Sequence, residues 1–354
     1  MSIDLFVFRR VLCLGLFPGF LLTPLAAKDY YVAPNGSDAA AGTEAAPFAT
    51  VQGGQQAAAP GDTVFIRGGT YRMAEAQIAG HVGPYACVTL LDKSGATGKP
   101  INYWAYPGEH PVFDLSQVKP RGQRVTAFRV NGSSLHLRGL EGVGVQVTIA
   151  THTQSICFDN EGSDNVYEQL SMHDGMAIGL WIGAGSNNLV LNCDAYRNHD
   201  SVSEGGRGGN VDGFGFHGHT GSVHNVFRGC RAWFNSDDGF DFINSDEAAR
   251  AEHCWAFYNG YSTDFASLGD GNGFKSGGEA GRRVNQLPDP IPRHVVIDCV
   301  AVHNKANGFY ANHHPGGIEW LNNTAYRNHI NFNLRGRDVG GPHTAKFAAD
   351  EVAL

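Results

Sequence analysis

The chain has 354 residues, with 34 Asp and Glu against 26 Lys and Arg, which gives a formal net charge of −8. A protein that binds nucleic acid needs a basic face for the phosphates, so this balance argues against DNA or RNA as a partner. Forty-seven glycines and few long apolar helical patterns favour short strands separated by tight turns over a helical bundle.

Residues 1–27 have the features of an export signal. Arg9 and Arg10 precede an apolar run from Val11 to Leu25, and two small residues follow. The run is short and interrupted by prolines, which disfavours a membrane span. The sequence therefore predicts a secreted or periplasmic protein that is cleaved near Ala27 and has no membrane partner. Residues 28–354 suit one elongated domain, which we expect to be monomeric.

The first part of this domain is less regular than the rest. A stretch ending near Ala59 has helical character, and the segment from Pro60 to Tyr71 predicts a turn and the first strand. A helix in this place would cover the exposed strand edges at one open end of a sheet structure. We therefore expect a short N-terminal capping helix. Residues 333–354 lack the repeat of the second half, and they either cap the opposite end or are loose.

A phrase that occurs five times organises the second half of the chain. Each copy has an alanine three residues before a final asparagine, and these asparagines are Asn198, Asn235, Asn259, Asn304 and Asn328. They are 37, 24, 45 and 24 residues apart, so 24 residues make one turn and insertions lengthen the others. Alternating side chains favour strands, and the asparagine suits a turn. Strand-only repeats of this length predict an all-β fold, a parallel β-helix.

Four of the five phrases begin with a cysteine, so Cys193, Cys230, Cys254 and Cys299 should form one inward column. Neighbouring strands place parallel Cβ vectors about 4.8 Å apart, which does not suit the near-perpendicular torsion of a disulfide. We expect free thiols that pack as small hydrophobes. A zinc site is the alternative, although no CxxC pairing or histidine partner accompanies the cysteines.

A second column follows the asparagine turns, in the form Asp-Gly-Phe or Asn-Gly-Phe. Its phenylalanines should stack inside the solenoid, and the residue after each one should point outward to solvent. The inward residues are Phe214, Phe240, Phe274 and Phe309, and the outward residues are Gly215, Asp241, Lys275 and Tyr310.

These columns align charges that are distant in the sequence. Asp237, Asp238 and Asp241 share one coil, Asp212 aligns with Asp238 on the coil before, and Lys275 aligns with Asp241 on the coil after. Four neighbouring carboxylates repel one another unless a cation lies among them, and hard oxygen ligands suit Ca²⁺. The flanking coils carry longer loops, 199–211 and 260–271, that could wall a cleft. Taken singly, the acids are ordinary turn residues and the lysine is a solvated charge; their alignment favours a site.

The residues in this region resemble the family 9 polysaccharide lyases, whose best-known members are pectate lyases. The resemblance covers roughly residues 160–333 and is carried by Asn210-Val-Asp-Gly-Phe, by residues 227–241, by Gly271-Asn-Gly-Phe-Lys-Ser-Gly-Gly and by Ala301-Val-His-Asn-Lys. It implies a right-handed parallel β-helix with one catalytic calcium and catalytic coils at about 190–310. By matching position, the calcium ligands would be Asp212, Asp237, Asp238 and Asp241, and Lys275 would be the Brønsted base.

The resemblance also implies β-elimination of pectate or a related acidic polysaccharide. Neutral Lys275 would remove the C5 proton of a uronate whose carboxylate is bound to calcium, and an alkaline optimum follows. His217 stands where relatives are expected to have lysine, which leaves the polymer open. Candidates for substrate contact are His217, Asn272, Arg282 and Arg283.

Two other functions are compatible with this sequence. A β-helix hydrolase could use Asp237 and Asp238 as its acid and base, although that mechanism needs neither Lys275 nor further carboxylates. A non-catalytic β-helix could bind carbohydrate, with the acids holding a structural calcium. A hydrolase would leave saturated ends and tolerate a chelator, and a binding protein would cleave nothing.

Overall fold

The computed structural model describes residues 26–279, 281–282 and 284–335, together with the strand Val352–Ala353. Within these residues the chain winds repeatedly through three sheets. All paired strands are parallel except the hairpin between Gly80–Val82 and Tyr85–Leu91. The predicted all-β parallel β-helix is therefore confirmed.

We name the sheets A, B and C in the order in which the chain enters them. Sheet A consists of Asp29–Val32, Thr63–Ile66, Ile101–Ala105, Leu135–Arg138, Val166–Glu168, Leu189–Leu191, Asn225–Arg228, Ala249–Glu252, His294–Ile297, Ile318–Leu321 and Val352–Ala353. Sheet B consists of Gly69–Ala74, Pro111–Gln117, Glu141–Val143, Ser171–His173, Asp194–Tyr196, Arg231–Trp233, Trp255–Phe257, Val300–Val302 and Thr324–Tyr326. Sheet C consists of Gly80–Val82, Tyr85–Leu91, Arg124–Val130, Ser155–Asn160, Ala177–Ile182, Phe214–Phe216, Phe240–Asp241, Phe274–Lys275, Asn307–Tyr310 and Ile330–Asn333. Short 3₁₀ helices span Glu75–Gln77, Ser203–Gly205 and Val284–Gln286.

A single α-helix among the described residues, Val51–Ala57, covers the N-terminal end of the solenoid. The Thr50 hydroxyl accepts a hydrogen bond from the Gly53 amide at 3.0 Å, which satisfies one free donor of the first turn. This confirms the predicted capping helix. The prediction that the first strand lies between residues 60 and 71 was wrong, because Asp29–Val32 already forms a strand that pairs with Thr63–Ile66. Val32 is fully buried in the core that the helix covers.

Both ends of the chain lie mostly outside the described residues. This applies to the predicted export signal, residues 1–27, of which only 26 and 27 are described, and to residues 336–351 and 354. At the C-terminal side, Val352–Ala353 pairs with Ile318–Leu321 as the last strand of sheet A. No helix in the described part of the chain is long and apolar enough to cross a membrane.

The inward columns have the predicted composition. Phe214, Phe240, Phe274 and Phe309 are fully buried, and successive rings stack at centroid distances of 5.0, 4.7 and 5.0 Å. The four column cysteines are buried and free, as expected from the parallel arrangement of their strands. Cys254 donates its amide hydrogen to the Cys299 sulfur at 3.4 Å, so this thiol also accepts a hydrogen bond from the backbone of the preceding coil.

The asparagines of the repeat form a continuous hydrogen-bonded ladder. The side-chain amide of each one donates to the side-chain oxygen of the next, at 3.1, 3.2, 3.0 and 2.9 Å from Asn198 to Asn328. The prediction that the asparagine makes the turn needs a correction, because the preceding residue adopts the left-handed conformation. Phe234, for example, has φ 53°. The asparagine instead uses its side chain to satisfy backbone groups of neighbouring coils.

Replacement of Asn259 by alanine should destabilise the solenoid by about 2 kcal/mol or more, because it leaves buried partners on two coils unsatisfied. Asn259 is fully buried; its side chain accepts from the Asn235 amide at 3.2 Å and donates to the Ala232 carbonyl at 3.0 Å. Denaturant unfolding measures the change, and Asn285→Ala at an exposed position is the control. Equal stability of the two variants would contradict the role of the ladder.

Candidate active site

The outward residues of sheet C place the site on one face of the solenoid. Gly215 pairs with Asp241, Asp241 with Lys275, and Lys275 with Tyr310, as the alignment of the phrases predicts. The expectation that these side chains are open to solvent was wrong for two of them. Asp241 is 5 % exposed and the Lys275 side chain 13 % exposed.

Three carboxylates meet beside this column. Asp212, Asp238 and Asp241 each offer an oxygen, and these oxygens lie within 4.8 Å of one another. Asp212 Oδ1 accepts from the Asp238 amide at 3.1 Å, and Asp238 Oδ1 accepts from the Asn272 side chain at 2.7 Å. Asp212, Asp238 and Asn272 occupy the same position on three successive coils, directly before a Gly-Phe pair. The hydrogen bonds between these coils orient the two acids.

Lys275 joins this group from the following coil. Its ammonium lies 3.1 Å from Asp241 Oδ2, to which it donates a hydrogen bond, and 3.1 Å from Asp238 Oδ2. Burial by itself would lower the pKa of Lys275, but the neighbouring carboxylates, Asp241 first, outweigh it and hold the pKa well above its usual value. Without a further cation, the lysine is therefore the counterion of the acids.

The crowding of the acids leaves an excess of negative charge. Burial and then the charges of Asp237, Asp241 and Asp238 raise the pKa of Asp212 well above its usual value, and burial likewise raises the pKa of Asp238. Asp238 Oδ2 is buried, and the ammonium of Lys275 lies 3.1 Å from it. Three convergent buried carboxylates with a single lysine beside them suit a hard divalent cation such as calcium, so these residues fit the predicted ion.

Asp237, the fourth predicted ligand, is outside the group of three. Its Oδ1 accepts from the Asp270 amide at 2.9 Å, so the loop 260–271 binds over it. Ser236 donates to the Gly208 carbonyl at 2.7 Å, which ties the loop 199–211 to the same corner. Both inserted loops are therefore hydrogen-bonded to this corner of the coil, where Asp237 is 5 % exposed. Its role as a ligand stays a prediction.

The four residues predicted to contact substrate have different surroundings. His217 packs on Trp181, with 3.8 Å between ring centroids. Asn272 is buried and holds Asp238, so the structure favours a role in orienting that acid over contact with substrate. Arg282 donates to Asp246 at 2.6 Å, which occupies part of its guanidinium. Arg283 lies outside the described residues.

Sequence reasoning missed one aromatic residue on the outer face of sheet C, two strands from Asp241. Trp181 pairs with Gly215, and Leu180 pairs with Phe214. The phrase Ile178-Gly-Leu-Trp is thus an earlier copy of Asp212-Gly-Phe-Gly with leucine in place of phenylalanine. The shared glycine was a usable signal, since Gly179 and Gly213 occupy equivalent positions before the inward residue.

Comparison with known proteins gives consistent results. The family model described as "Pel9A-like, right handed beta helix region" matches residues 30–346. "Pectate lyase L" of Dickeya chrysanthemi is 37% identical over 313 residues, which cover 86% of this chain and 66% of that protein, so the chain spans just under two thirds of its relative.

Two solved structures superpose on most of the chain. The structure titled "Rhamnogalacturonan lyase" has a TM-score of 0.84 and 48% identity, covering 88% of this chain and 76% of the other. "Crystal structure of pectate lyase Pel9A" has a TM-score of 0.70 and 31% identity, covering 94% and 80%. The resemblance drawn from the sequence is confirmed. The chain belongs to the Pel9A-like family of right-handed parallel β-helix proteins.

Proposed function

We propose that this protein is a calcium-dependent polysaccharide lyase that cleaves a uronate-containing polymer by β-elimination. One observation carries the proposal: an amine and three carboxylates from three successive coils converge on one face of the solenoid, with Lys275 3.1 Å from both Asp238 and Asp241. A general base beside a cation site is the pair of groups that elimination next to a carboxylate requires. Relatives named pectate lyase and a solved rhamnogalacturonan lyase support a pectic polymer as substrate.

Asp212, Asp238 and Asp241 would hold the calcium ion, with Asp237 as a further predicted ligand. When bound, calcium supplies positive charge that neutralises the substrate carboxylate and acidifies the proton on the adjacent carbon. Neutral Lys275 takes the C5 proton. The C5–H electron pair becomes the C4–C5 double bond, and the C4–O4 bond breaks with its electron pair leaving on oxygen, which takes a proton from solvent. The low exposure of Lys275 limits the competing hydration of its amine.

The pH dependence follows from the charge around Lys275. Its pKa is raised above the usual value by the carboxylates, and only the neutral amine accepts a proton, so kcat/KM should increase as pH rises through the alkaline range. Calcium opposes the carboxylates, and raising its concentration should shift the ascending limb to lower pH. Initial rates between about pH 6 and 11 at several calcium concentrations measure this. A limb that does not move with calcium would contradict the proposed coupling.

The decisive assay uses the protein with polygalacturonate and, separately, with the backbone of rhamnogalacturonan, at alkaline pH. A lyase produces unsaturated ends that absorb ultraviolet light, and a chelator should abolish the signal. Saturated reducing ends that form despite chelator would identify a hydrolase instead. Binding without cleavage, unaffected by Lys275→Ala, would identify a carbohydrate-binding protein.

The predicted partners and location belong to the same proposal. The net charge of −8 does not favour nucleic acid, and we propose an acidic polysaccharide as the partner, acted on by a monomeric enzyme outside the cytoplasm. The apparent signal in residues 1–27 supports export. Recovery of the protein from the culture medium or periplasm, with its N-terminus near Lys28, is the expected result.

A further inference from the structure

The side chain of Lys305 binds a loop that lies far from it in the sequence. Its ammonium donates to the Leu268 carbonyl at 2.7 Å and also to the Gly269 carbonyl, 37 and 36 residues earlier in the chain. Its amide donates to the Asn259 carbonyl at 3.0 Å, just before the loop begins. Hydrogen bonds from an ionised donor are stronger than neutral ones. Lys305 therefore ties the loop 260–271 to the coil that follows it.

The two ends of this loop meet beside the lysine stem. Gly260 and Gly271 both have left-handed φ angles, 81° and 79°. A Cβ at Gly260 would lie 2.6 Å from Gly271 Cα and 2.8 Å from Lys305 Cβ, so the chain leaves and returns through one narrow point. The Leu268 amide donates back to the Gly260 carbonyl at 2.9 Å. The loop is therefore closed at its base, and Lys305 packs against that base.

The peptide group between Gly269 and Asp270 is bound at both ends. Its carbonyl oxygen accepts from the Lys305 ammonium, and its N–H donates to Asp237 Oδ1 at 2.9 Å. The C=O and N–H of a trans peptide lie in one plane and point in opposite directions. By holding the oxygen, Lys305 therefore turns the hydrogen of the same peptide toward Asp237.

The backbone next to Asp237 holds this peptide from another side. A Cβ at Gly269 would lie 2.6 Å from the Ser236 carbonyl oxygen and 3.0 Å from that of Gly208, so the glycine packs directly on both chains. Asp237 is 5 % exposed at this place. Any shift of the Gly269 peptide would therefore move the hydrogen-bond donor of a buried carboxylate.

We propose that Lys305 is a positioning residue for calcium binding and that it acts through Asp237. It fixes the Gly269–Asp270 peptide, whose N–H orients Asp237 as a fourth ligand next to the group of three carboxylates. This inference rests on the proposed function, in which Asp237 is a calcium ligand. Lys305 itself binds neither the ion nor the substrate. Groups that orient a metal ligand in this way commonly change metal affinity about 10- to 100-fold when they are removed.

Titration calorimetry of the intact protein with calcium chloride tests the role of Lys305. Lys305→Met keeps a stem that packs against Gly260 and removes the ammonium, so it should raise the Kd for calcium about tenfold. Lys305→Arg keeps a charged donor and should retain most of the affinity. Lys93→Met is the matched control, because the Lys93 ammonium also donates to three backbone carbonyls, at the N-terminal cap. It should leave the Kd unchanged.

A double-mutant cycle decides whether Lys305 acts through Asp237. In an Asp237→Ala background, Lys305→Met should change the Kd less than about twofold, because the ligand that it orients is already absent. The same fold-change with and without Asp237 would overturn the proposed route. Hydrogen exchange of the loop 260–271 in chelator, measured by mass spectrometry, should be faster in Lys305→Met and unaltered in Lys93→Met.

Gly269→Ala disturbs the same peptide without changing the lysine. The added methyl group displaces the peptide from the Ser236 carbonyl, so this variant should also raise the Kd for calcium. It decides the inference if Lys305→Met does not fold. A Gly269→Ala variant with faster exchange of the loop and unchanged calcium affinity would overturn the inference.

Calcium dependence separates the effect of Lys305 from that of the proposed base. Saturating calcium should restore kcat in Lys305→Met to nearly the value of the unaltered protein, whereas it should not restore kcat in Lys275→Ala. Calcium binding that is unchanged in Lys305→Met would overturn this inference and leave the proposed function standing. Failure of the unaltered protein to bind calcium would overturn the proposed function and this inference together.

Discussion

Replacement of Lys275 by alanine should lower kcat/KM about 10²- to 10⁴-fold, the range expected when a general base is removed. The physical reason is that no other described amine lies among the three carboxylates, where Lys275 Nζ is 3.1 Å from two of them. The loss should appear mainly in kcat, because calcium and the polymer still bind. Ultraviolet absorbance of the unsaturated product, measured at saturating calcium, gives both constants.

Lys275→Arg separates proton transfer from charge balance. Arginine keeps a positive charge above Asp238 and Asp241 but stays protonated at every accessible pH. If Lys275 acts only as a counterion, arginine should restore activity, and the assignment as base would be wrong. If Lys275 is the base, both variants should be inactive while calcium still stabilises them against heat. Lys99→Ala, at an exposed position, is the control for loss of a lysine elsewhere.

Asp212→Asn should raise stability in the absence of calcium and reduce the stabilisation that calcium gives. Because the pKa of Asp212 is raised in the folded protein, ionisation of Asp212 destabilises the fold. This loss of stability begins as pH rises above the pKa of the unfolded chain, near 4, and is complete above the pKa of the folded protein. Asparagine is never ionised and can still accept from the Asp238 amide. In chelator at pH 8, the variant should therefore unfold at a higher temperature than the unaltered protein.

With calcium the advantage of the variant should become smaller, because one charged ligand is missing and calcium stabilises the variant less. At free calcium 100 times Kd, the unaltered protein gains about 2.7 kcal/mol, and a tenfold weaker site would gain about 1.4 kcal/mol. Scanning calorimetry in chelator and in calcium measures both differences, and titration calorimetry measures Kd. Asp270→Asn removes an exposed nearby charge outside the group of three and is the matched control. An Asp212→Asn variant that binds calcium unchanged would exclude Asp212 as a ligand.

Several features of the site were predictable because parallel stacking converts sequence alignment into contact. Once the Asn-Gly-Phe and Asp-Gly-Phe phrases are aligned, the residue after each phenylalanine must lie on the outer face, one strand from its counterpart. The alignment therefore predicts Asp241 beside Lys275 and Asp212 beside Asp238, and the register of the strands agrees. The same reasoning did not identify Trp181, because its coil has leucine in place of phenylalanine.

Other features depend on contacts that have no regular spacing. The burial of Asp237 comes from the path of the loop 260–271, whose Asp270 amide reaches back 33 residues. The hydrogen bond from Arg282 to Asp246 joins two coils, and Arg282 lies in an irregular segment between strands. Likewise, the left-handed residue of each turn is the one before the asparagine, since the asparagine side chain is held in the ladder. No local pattern distinguishes these outcomes from their alternatives.

The amino-acid sequence by itself determined the repeat, the inward and outward columns, and the order of the acids and the lysine on the outer face. Successive side chains of a strand point to opposite faces, and in stacked coils only one arrangement buries the phenylalanines. Only the tertiary structure decided which of those charges are withdrawn from water, that Arg282 is paired with Asp246 and that the indole of Trp181 packs against His217. Those properties arise from loops and side chains of different coils, which meet through the fold and not through any fixed separation in the chain.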